Sequence, residues 1–285
     1  LWDSGQWTYI RQNLGEWQGS FIQFSPDAVR VGETPSVLTL EEDRPGHHMT
    51  LVLKRTPQGK PTQITERDLG YPGAIPYICF FPTGAFCQGP MQRRAWSGFG
   101  AEFSLLSGDR RIRLVQLYTG TTSGEHTLDY VTLIPEYRSP TTAETSATGT
   151  APVSVDTLLG TWKGESLYLP ATMSTPQVGA SCCQAQRTED GFVLSWDTEM
   201  APQSLEPQRF TPIDSQRWQA ANSPQQLWLL PNGVTCTVYP QLPQQHGVRL
   251  EFCWYLSSHQ RQRIVRDYDA TGDWVGTSLS LETQI

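Results

Sequence analysis

The chain has 285 residues, of which 38% are hydrophobic, and its formal net charge at pH 7 is −7. This hydrophobic content supports a folded core and excludes an intrinsically disordered chain. The acidic balance argues against general nucleic-acid binding, which needs a basic face, and no run of about 18 apolar residues predicts a membrane span.

Glycine (24 residues) and proline (21) are frequent, which favours many short strands over long helices. Ten tryptophans require large apolar surroundings, which suits barrel interiors and binding pockets. Six cysteines are present, but neither a CxxC pair nor a Cys/His metal spacing occurs. We therefore predict no metal site and reduced, structural thiols.

The predicted elements come in the same order twice. A short helix is expected over residues 7–14, and another over 155–159 with Ser154 as its N-cap. Short apolar runs, rich in β-branched and aromatic residues and bounded by turn residues, predict strands after each helix. They lie at 21–24, 50–53, 77–81, 102–106, 112–118 and 130–134, and at 167–169, 192–196, 226–230, 248–256, 263–268 and 277–281.

The chain contains an internal repeat. The motif L-G-x-W-x-G occurs at residues 14–19 and again at 159–164. Three further pairs of segments match in the same order at a nearly constant spacing, which indicates a tandem duplication. These pairs are 82–87 with 231–236, 102–103 with 251–252, and 111–118 with 261–268.

The region between the two copies, residues 139–151, contains no large apolar residue and is predicted to be a solvated linker. We therefore predict an N-terminal domain at 1–138 and a C-terminal domain at 152–285.

The start of each copy carries a fold signature. A G-x-W sequence after a helical turn, with an arginine on a late strand, resembles the lipocalin or calycin signature. The resemblance implies that the tryptophan closes one end of an antiparallel barrel and that the arginine packs on it. The candidate pairs are Trp17 with Arg111 or Arg113, and Trp162 with Arg261 or Arg263. The expected fold class is all-β, a tandem duplication of a lipocalin-like antiparallel barrel.

A closer resemblance covers nearly the whole chain. The segments NLGEWQGSF, GAFCQGP, FGAEFSLLSGDRRIRLVQLY, LLGTWKGE and RQRIVRDYDATGDWV resemble a cyanobacterial and plastid family with two lipocalin-like halves. That family is labelled a domain of unknown function (number 3598). It is similar to the S-type bilin lyases, which carry phycobilins in a similar barrel. The resemblance implies a photosynthetic host and a location in the cyanobacterial cytosol or on the stromal side of a plastid.

Charged residues on the predicted strands are candidates for ligand binding or catalysis. Arg111 and Arg113 share one strand face; facing inward, one closes the floor while the other binds an anion such as a tetrapyrrole propionate. Facing outward, both are solvated. Glu102 and Glu251 each lie beside an aromatic residue, where a buried carboxylate acts as a general acid or base. A salt bridge to a neighbouring arginine is the structural alternative.

The two copies differ at a predicted barrel mouth. Tyr71 and Tyr77 flank a proline-rich approach, and Arg93, Arg94 and Trp96 form a basic, aromatic loop that only the first copy has. These residues are predicted to bind a ligand. We expect at least one barrel to hold an interior cavity of about 300 Å³ or more, and we favour the first barrel. The alternative is a solvated loop that covers the end of the barrel.

These features favour a non-enzymatic carrier of an apolar small molecule, with or without an anionic group. A bilin or other tetrapyrrole is the first ligand expected and a carotenoid or lipid the second, with photosynthetic proteins as further partners. One alternative is a bilin lyase-like enzyme, or a cyclase or isomerase. Another is a haem-binding barrel like nitrobindin, which LLGTWKGE resembles, although no matched strand supplies a histidine. The last is an assembly or scaffold factor of the photosynthetic apparatus with filled barrels.

Overall fold

The computed structural model describes residues 2–44, 46–70, 78–95, 97–140, 153–172, 175–198 and 206–285. These residues are nearly all β and form two compact, barrel-like units. Unit 1 consists of the described residues within 1–89, 100–116 and 130–148, and unit 2 of those within 90–99, 117–129 and 149–285. The predicted fold class is therefore confirmed.

Unit 1 begins with helix α1 (Trp2–Ile10), which a single turn of 3-10 helix (Arg11–Asn13) connects to the first strand. Its strands form one antiparallel sheet in the order β4-β3-β2-β1-β9-β8-β7-β6-β5, which curls into a half-barrel. The strands are β1 (Gly15–Phe24), β2 (Arg30–Arg44), β3 (His48–Arg55), β4 (Gln63–Gly70), β5 (Ile78–Phe80), β6 (Phe86–Gln88), β7 (Phe99–Ser107), β8 (Arg110–Gly120) and β9 (His126–Arg138).

Unit 2 is a closed barrel of ten strands that follows helix α2 (Val155–Leu158). The barrel order is β10-β11-β12-β13-β14-β15-β16-β18-β19-β20, while β17 pairs with the first residues of β9. The strands are β10 (Gly160–Pro170), β11 (Gln177–Thr188), β12 (Gly191–Thr198), β13 (Gln208–Pro212), β14 (Arg217–Ala220), β15 (Gln226–Leu230), β16 (Val234–Val238), β17 (Gln241–Leu242), β18 (Val248–Tyr255), β19 (Gln260–Tyr268) and β20 (Trp274–Gln284).

Unit 2 includes two segments of the first sequence copy. The backbone N–H of Trp274 donates to the carbonyl of Met91 at 2.7 Å, and that of Arg93 donates to the carbonyl of Gly272 at the same distance. The ring of Phe99 lies 5.2 Å from that of Tyr268. These segments precede the predicted linker, most of which lies outside the described residues. The contiguous domain boundaries stay a prediction.

Both predicted helices are present, with altered ends. The first starts earlier than expected, at Trp2, and its helical turns end at Asn13. The second has Ser154 at the N-cap position, but the Ser154 side chain makes no capping hydrogen bond to the backbone. The hydroxyl lies 3.2 Å from that of Thr157 instead.

The first glycine of the repeated motif allows the chain to turn from helix into strand. Gly15 and Gly160 both have a φ of 111°, in the region that residues with a Cβ rarely adopt. This turn places Trp17 and Trp162 at the same step of their strands, where both side chains are fully buried. The glycine and the tryptophan of the motif therefore act together: the glycine makes the turn that brings the tryptophan into the core.

The second glycine of the motif allows two strands to approach closely, and this predicts a selective effect of alanine. A Cβ at Gly19 would collide with the carbonyl oxygen of Pro135 on β9. We expect Gly19→Ala to lower the free energy of unfolding by about 1–3 kcal/mol, the usual cost of overpacking. Urea unfolding measures the effect. Gly32→Ala is the matched control, because a Cβ there meets no atom within 4 Å. Equal stability of the two variants would contradict the prediction.

Candidate functional site

A buried tryptophan closes the floor of each unit. The indole N–H of Trp17 donates to the carbonyl of Asn13 at 2.9 Å, and that of Trp162 donates to the carbonyl of Leu158 at 3.0 Å. In both cases the acceptor belongs to the helical turn that precedes the strand. The only polar atom of each indole is thereby satisfied inside the fold.

An arginine stacks on each of these tryptophans. The guanidinium carbon of Arg111 lies 4.3 Å from the ring centroid of Trp17, and that of Arg261 lies 4.4 Å from the centroid of Trp162. These distances fit a cation–π contact, and guanidinium planes stack well on aromatic faces. Within each candidate pair, the structure thus places Arg111 and Arg261 on the floor, and Arg113 and Arg263 lie two residues further along the strand.

In unit 1 the two arginines belong to a buried ion-pair cluster. The Nε of Arg111 lies 2.7 Å from one carboxylate oxygen of Glu136, and Arg113 Nη2 lies 2.8 Å from the other. Arg113 Nη1 lies 2.9 Å from the carboxylate of Glu102. Two cations and two anions therefore balance within the cluster, as buried charges require.

Unit 2 repeats the cluster. Arg261 Nε lies 2.6 Å from Glu282, whose other oxygen lies 2.9 Å from Arg263 Nη2. Arg263 Nη1 lies 3.4 Å from Glu251. Glu102 and Glu251 thus adopt the ion pairs that sequence reasoning gave as their structural alternative, and their catalytic role stays a prediction. Glu136 and Glu282 were missed, although each lies near the end of the last strand of its copy.

The central carboxylates of the clusters are held in the ionised form. Burial alone would raise the pKa of Glu282, but the charges of Arg263 and Arg261 outweigh it and lower the pKa to about 2. The pKa of Glu136 is also lowered, because the charges of Arg111 and Arg113 outweigh its desolvation. Neither carboxylate is suited to exchange a proton near neutral pH.

Of the residues predicted at the barrel mouth of the first copy, the structure describes Arg93 and Arg94, and neither lines the cavities of about 250 and 410 Å³ that the two units contain. The guanidinium of Arg93 donates to the backbone carbonyls of Pro243, at 2.7 Å, and His246, at 3.2 Å. Arg94 is exposed. Trp96, Tyr71 and Tyr77 lie outside the described residues. Arg93 therefore already donates hydrogen bonds to acceptors in unit 2. Its predicted binding of a ligand carboxylate stays a prediction.

Each unit contains a cavity. That of unit 1 measures about 250 Å³ and is lined mainly by aliphatic and aromatic side chains, together with the charged residues Arg67, Arg111, Arg113 and Glu102. That of unit 2 measures about 410 Å³ and has more polar walls. The unit 2 cavity agrees with the prediction that at least one barrel holds a cavity of about 300 Å³ or more, whereas the preference for the first barrel stays a prediction. Sequence differences between the copies locate loops, but they do not report the volume left between side chains.

Several polar residues that line the unit 2 cavity are hydrogen-bonded to one another. Arg249 Nη1 lies 3.2 Å from Asp267, whose pKa is raised by burial although the charge of Arg249 opposes the shift. The side-chain amide of Gln225 donates to the hydroxyl of Tyr239 at 3.0 Å. Burial raises the pKa of Tyr239 to about 12, so its hydroxyl stays protonated.

All six cysteines are free thiols, and most are buried. Burial raises the pKa of Cys183 and of Cys236, and it raises that of Cys253 to about 12. A thiol reacts as its thiolate, so these three are poor nucleophiles at neutral pH. Within the described ranges there is neither a group of three potential metal ligands nor a helix long and apolar enough to cross a membrane.

Comparisons with known proteins find a matching family model for each half of the chain. Residues 3–141 match the N-terminal domain of DUF3598, a domain of unknown function, and residues 149–285 match the C-terminal domain of biogenesis factor required for ATP synthase 1. No curated protein matches the chain.

One solved structure is similar to this chain over nearly its whole length. The crystal structure of a DUF3598-family protein from Nostoc punctiforme PCC 73102, of unknown function, is 28% identical and covers 98% of this chain and 99% of its own, with a TM-score of 0.85. An S-type phycobiliprotein lyase from Guillardia theta is 11% identical and covers 46% of this chain and 90% of its own. Its TM-score of 0.36 is too low to support a functional argument. The predicted resemblance to the two-domain DUF3598 family is confirmed.

The floor tryptophans are expected to be indispensable for stability. Trp17→Ala and Trp162→Ala should each lower the free energy of unfolding by about 3–5 kcal/mol, because each removes a fully buried indole. Val31→Ala is the control, since the Val31 side chain is exposed. Calorimetry measures the effect, and an unchanged melting temperature for either tryptophan variant would show that its ring does not support the floor.

The buried clusters predict a dependence of stability on pH. The folded-state pKa of Glu282 is depressed, so its stabilising contribution is present above its unfolded pKa of about 4.3 and is lost as the pH falls towards about 2. Glu282→Gln should cost about 3–5 kcal/mol at pH 7 and flatten the acid limb of the stability curve. Chemical unfolding between pH 7 and pH 2 checks this. Glu165→Gln, at an exposed position on β10, should leave the curve unchanged.

Proposed function

We propose that this protein is an assembly factor that acts in the biogenesis of an ATP synthase and binds one of the subunits through its surface. The observation that carries the proposal is the match of residues 149–285 to the C-terminal domain of a biogenesis factor required for ATP synthase. The matched range runs from before α2 to the end of the chain, so it contains every strand of the closed barrel.

The interior chemistry supports a binding role over a catalytic one. The charged groups of both floors are paired with one another, and Glu136 and Glu282 are held ionised. Burial raises the pKa of Cys183 and Cys236, so these two thiols stay protonated near neutral pH. These features favour a protein whose surface, rather than an interior reactive group, performs the function.

The carriage of a tetrapyrrole is supported less well. A bilin has two propionates, which require cations that are free to pair with them. The four floor arginines already pair with four glutamates, and Arg93 donates to backbone carbonyls. Bilin binding through Arg111 and Arg113 would therefore leave the carboxylates of the cluster without partners, at a cost of several kcal/mol.

The proposal predicts selective binding to an unassembled ATP synthase subunit. The purified protein is titrated by calorimetry with the α, β and γ subunits of F1, each isolated, and with assembled F1. We expect binding to at least one isolated subunit and at least a tenfold weaker affinity for assembled F1, because an assembly factor must be released from the product.

Deletion of the gene in its own host provides the second measurement. Assembled F1 on native gels should decrease while free subunits accumulate, and the wild-type gene should restore assembly. An absorption titration with biliverdin and with haem serves as the counter-test. If no subunit binds and F1 levels are unchanged, the assembly role is wrong; saturable binding of biliverdin would then favour the carrier.

A further inference from the structure

Two strands of unit 2 separate next to its cavity of about 410 Å³. The ladder between β16 and β18 ends at Cys236, two residues before the end of β16. Beyond it, side chains take over the hydrogen bonds of the β18 backbone. Thr237 Oγ1 accepts from the backbone N–H of Glu251 at 2.8 Å, and the amide of Gln225 donates to the backbone carbonyl of Arg249 at 3.0 Å. These polar groups of the wall are therefore used within the wall.

The Glu251 side chain retains an unused acceptor. Its Oε2 lies 3.4 Å from Arg263 Nη1. Its Oε1 has no hydrogen-bond partner among the described residues, and it keeps accessible surface. Glu251 lines the cavity, and only 10% of its side chain is exposed. A carboxylate oxygen that is unpaired on a nearly buried side chain indicates a place for a donor.

The Arg249 side chain presents an unused donor to the same cavity. Its Nη1 lies 3.2 and 3.4 Å from the two carboxylate oxygens of Asp267. Its Nη2 has no acceptor in the described part of the chain and also keeps accessible surface, and 20% of the side chain is exposed. Residues two apart on a strand share a face, with Cα atoms roughly 7 Å apart. Arg249 and Glu251 therefore offer a donor and an acceptor side by side.

The charges that line the cavity determine which ligand fits. Arg249 pairs with Asp267, and Glu251 pairs with Arg263. The remaining acidic and basic residues of the lining are exposed: Glu206, Arg209 and His246. The inner charges therefore balance before a ligand enters. A ligand with a single charge would disturb this balance where solvent screening is weak, whereas a zwitterion brings one charge of each sign.

The rest of the cavity offers apolar surface. Trp196, Phe210 and Val275 contribute to the walls, and Phe210 is fully buried. The volume of about 410 Å³ lies within the range of small-molecule sites. An aromatic or large aliphatic group can therefore lie beside the charged pair.

We propose that the cavity of unit 2 binds a zwitterion with an apolar body, of the class of the aromatic α-amino acids. The ammonium group donates to Glu251 Oε1, the carboxylate accepts from Arg249 Nη2, and the apolar body lies against Trp196 and Phe210. One carbon atom carries both charged groups of an α-amino acid, which fits the short spacing of Arg249 and Glu251. This site is separate from the assembly role and holds whether or not the protein binds an ATP synthase subunit.

Three probes with one phenylalkyl skeleton test the proposal by isothermal calorimetry at pH 7.5. They are L-phenylalanine, 2-phenylethylamine, which lacks the carboxylate, and 3-phenylpropanoate, which lacks the ammonium group. Phenylalanine should bind once per chain and at least tenfold more tightly than either analogue, because each analogue loses a hydrogen bond between charged groups. Equal or tighter binding of an analogue, or no saturable binding of phenylalanine, would overturn the proposal.

Two substitutions assign each charged group of the ligand to its partner. Glu251→Gln should weaken the binding of phenylalanine at least tenfold without weakening that of 3-phenylpropanoate, which has no ammonium group. Arg249→Gln should weaken the binding of phenylalanine by a similar factor without weakening that of 2-phenylethylamine. Circular dichroism checks that each variant is folded. The same loss for all three probes, or no loss for any, would contradict the assignment.

A cavity-filling variant locates the site without altering a charged residue. Val275→Trp adds a large side chain to the cavity wall and should reduce phenylalanine binding at least tenfold. Val178→Trp is the matched control, because the Val178 side chain is exposed on β11 and does not line the cavity. Its affinity should equal that of the wild type. Unchanged phenylalanine binding in Val275→Trp would place the ligand elsewhere and refute the proposal, even if neither charge variant folds.

Discussion

The structure of each unit depends on one buried arrangement, in which an arginine stacks on the floor tryptophan and is held there by a glutamate from the last strand. Arg111 and Glu136 do this in unit 1, and Arg261 and Glu282 in unit 2. Each guanidinium contacts both the ring of the floor tryptophan and the carboxylate of the glutamate. None of these three groups can therefore move without disturbing the other two. Removing either charge would leave the other buried without a partner.

The two units share this floor arrangement, but the side chains that line their cavities differ in size and polarity. The floor residues are fixed by mutual contacts, whereas the positions above them are free to change in size and polarity. Unit 1 has mainly apolar walls around its cavity, while Arg249 and Asp267 form an ion pair across the wall of unit 2. The two units thus have different interiors above a charge-neutral floor that both share.

The features that could be predicted from the sequence have strong local patterns. The G-x-W motif predicted the floor tryptophans because glycine and tryptophan are each required by geometry at a fixed spacing. Strands β4 and β11 were missed because β4 is largely exposed and β11 buries Ser181, Cys183 and Ala185, residues too small or polar to form an apolar run. Glu136 and Glu282 were missed because a single glutamate in a strand has no pattern until its partners are known.

Unit 2 also shows that a sequence copy and a compact unit of the structure need not coincide. Arg266 is fully buried, and both it and Tyr268 donate to the carbonyl of Pro90, at 3.0 and 2.9 Å. During synthesis the segments at 90–99 and 117–129 leave the ribosome well before the barrel of the same compact unit. The strands of residues 160–284 close the barrel by themselves, but the added contacts span a long sequence separation, which slows folding. A fragment that starts at residue 149 would lack the carbonyl of Pro90, to which Arg266 and Tyr268 donate.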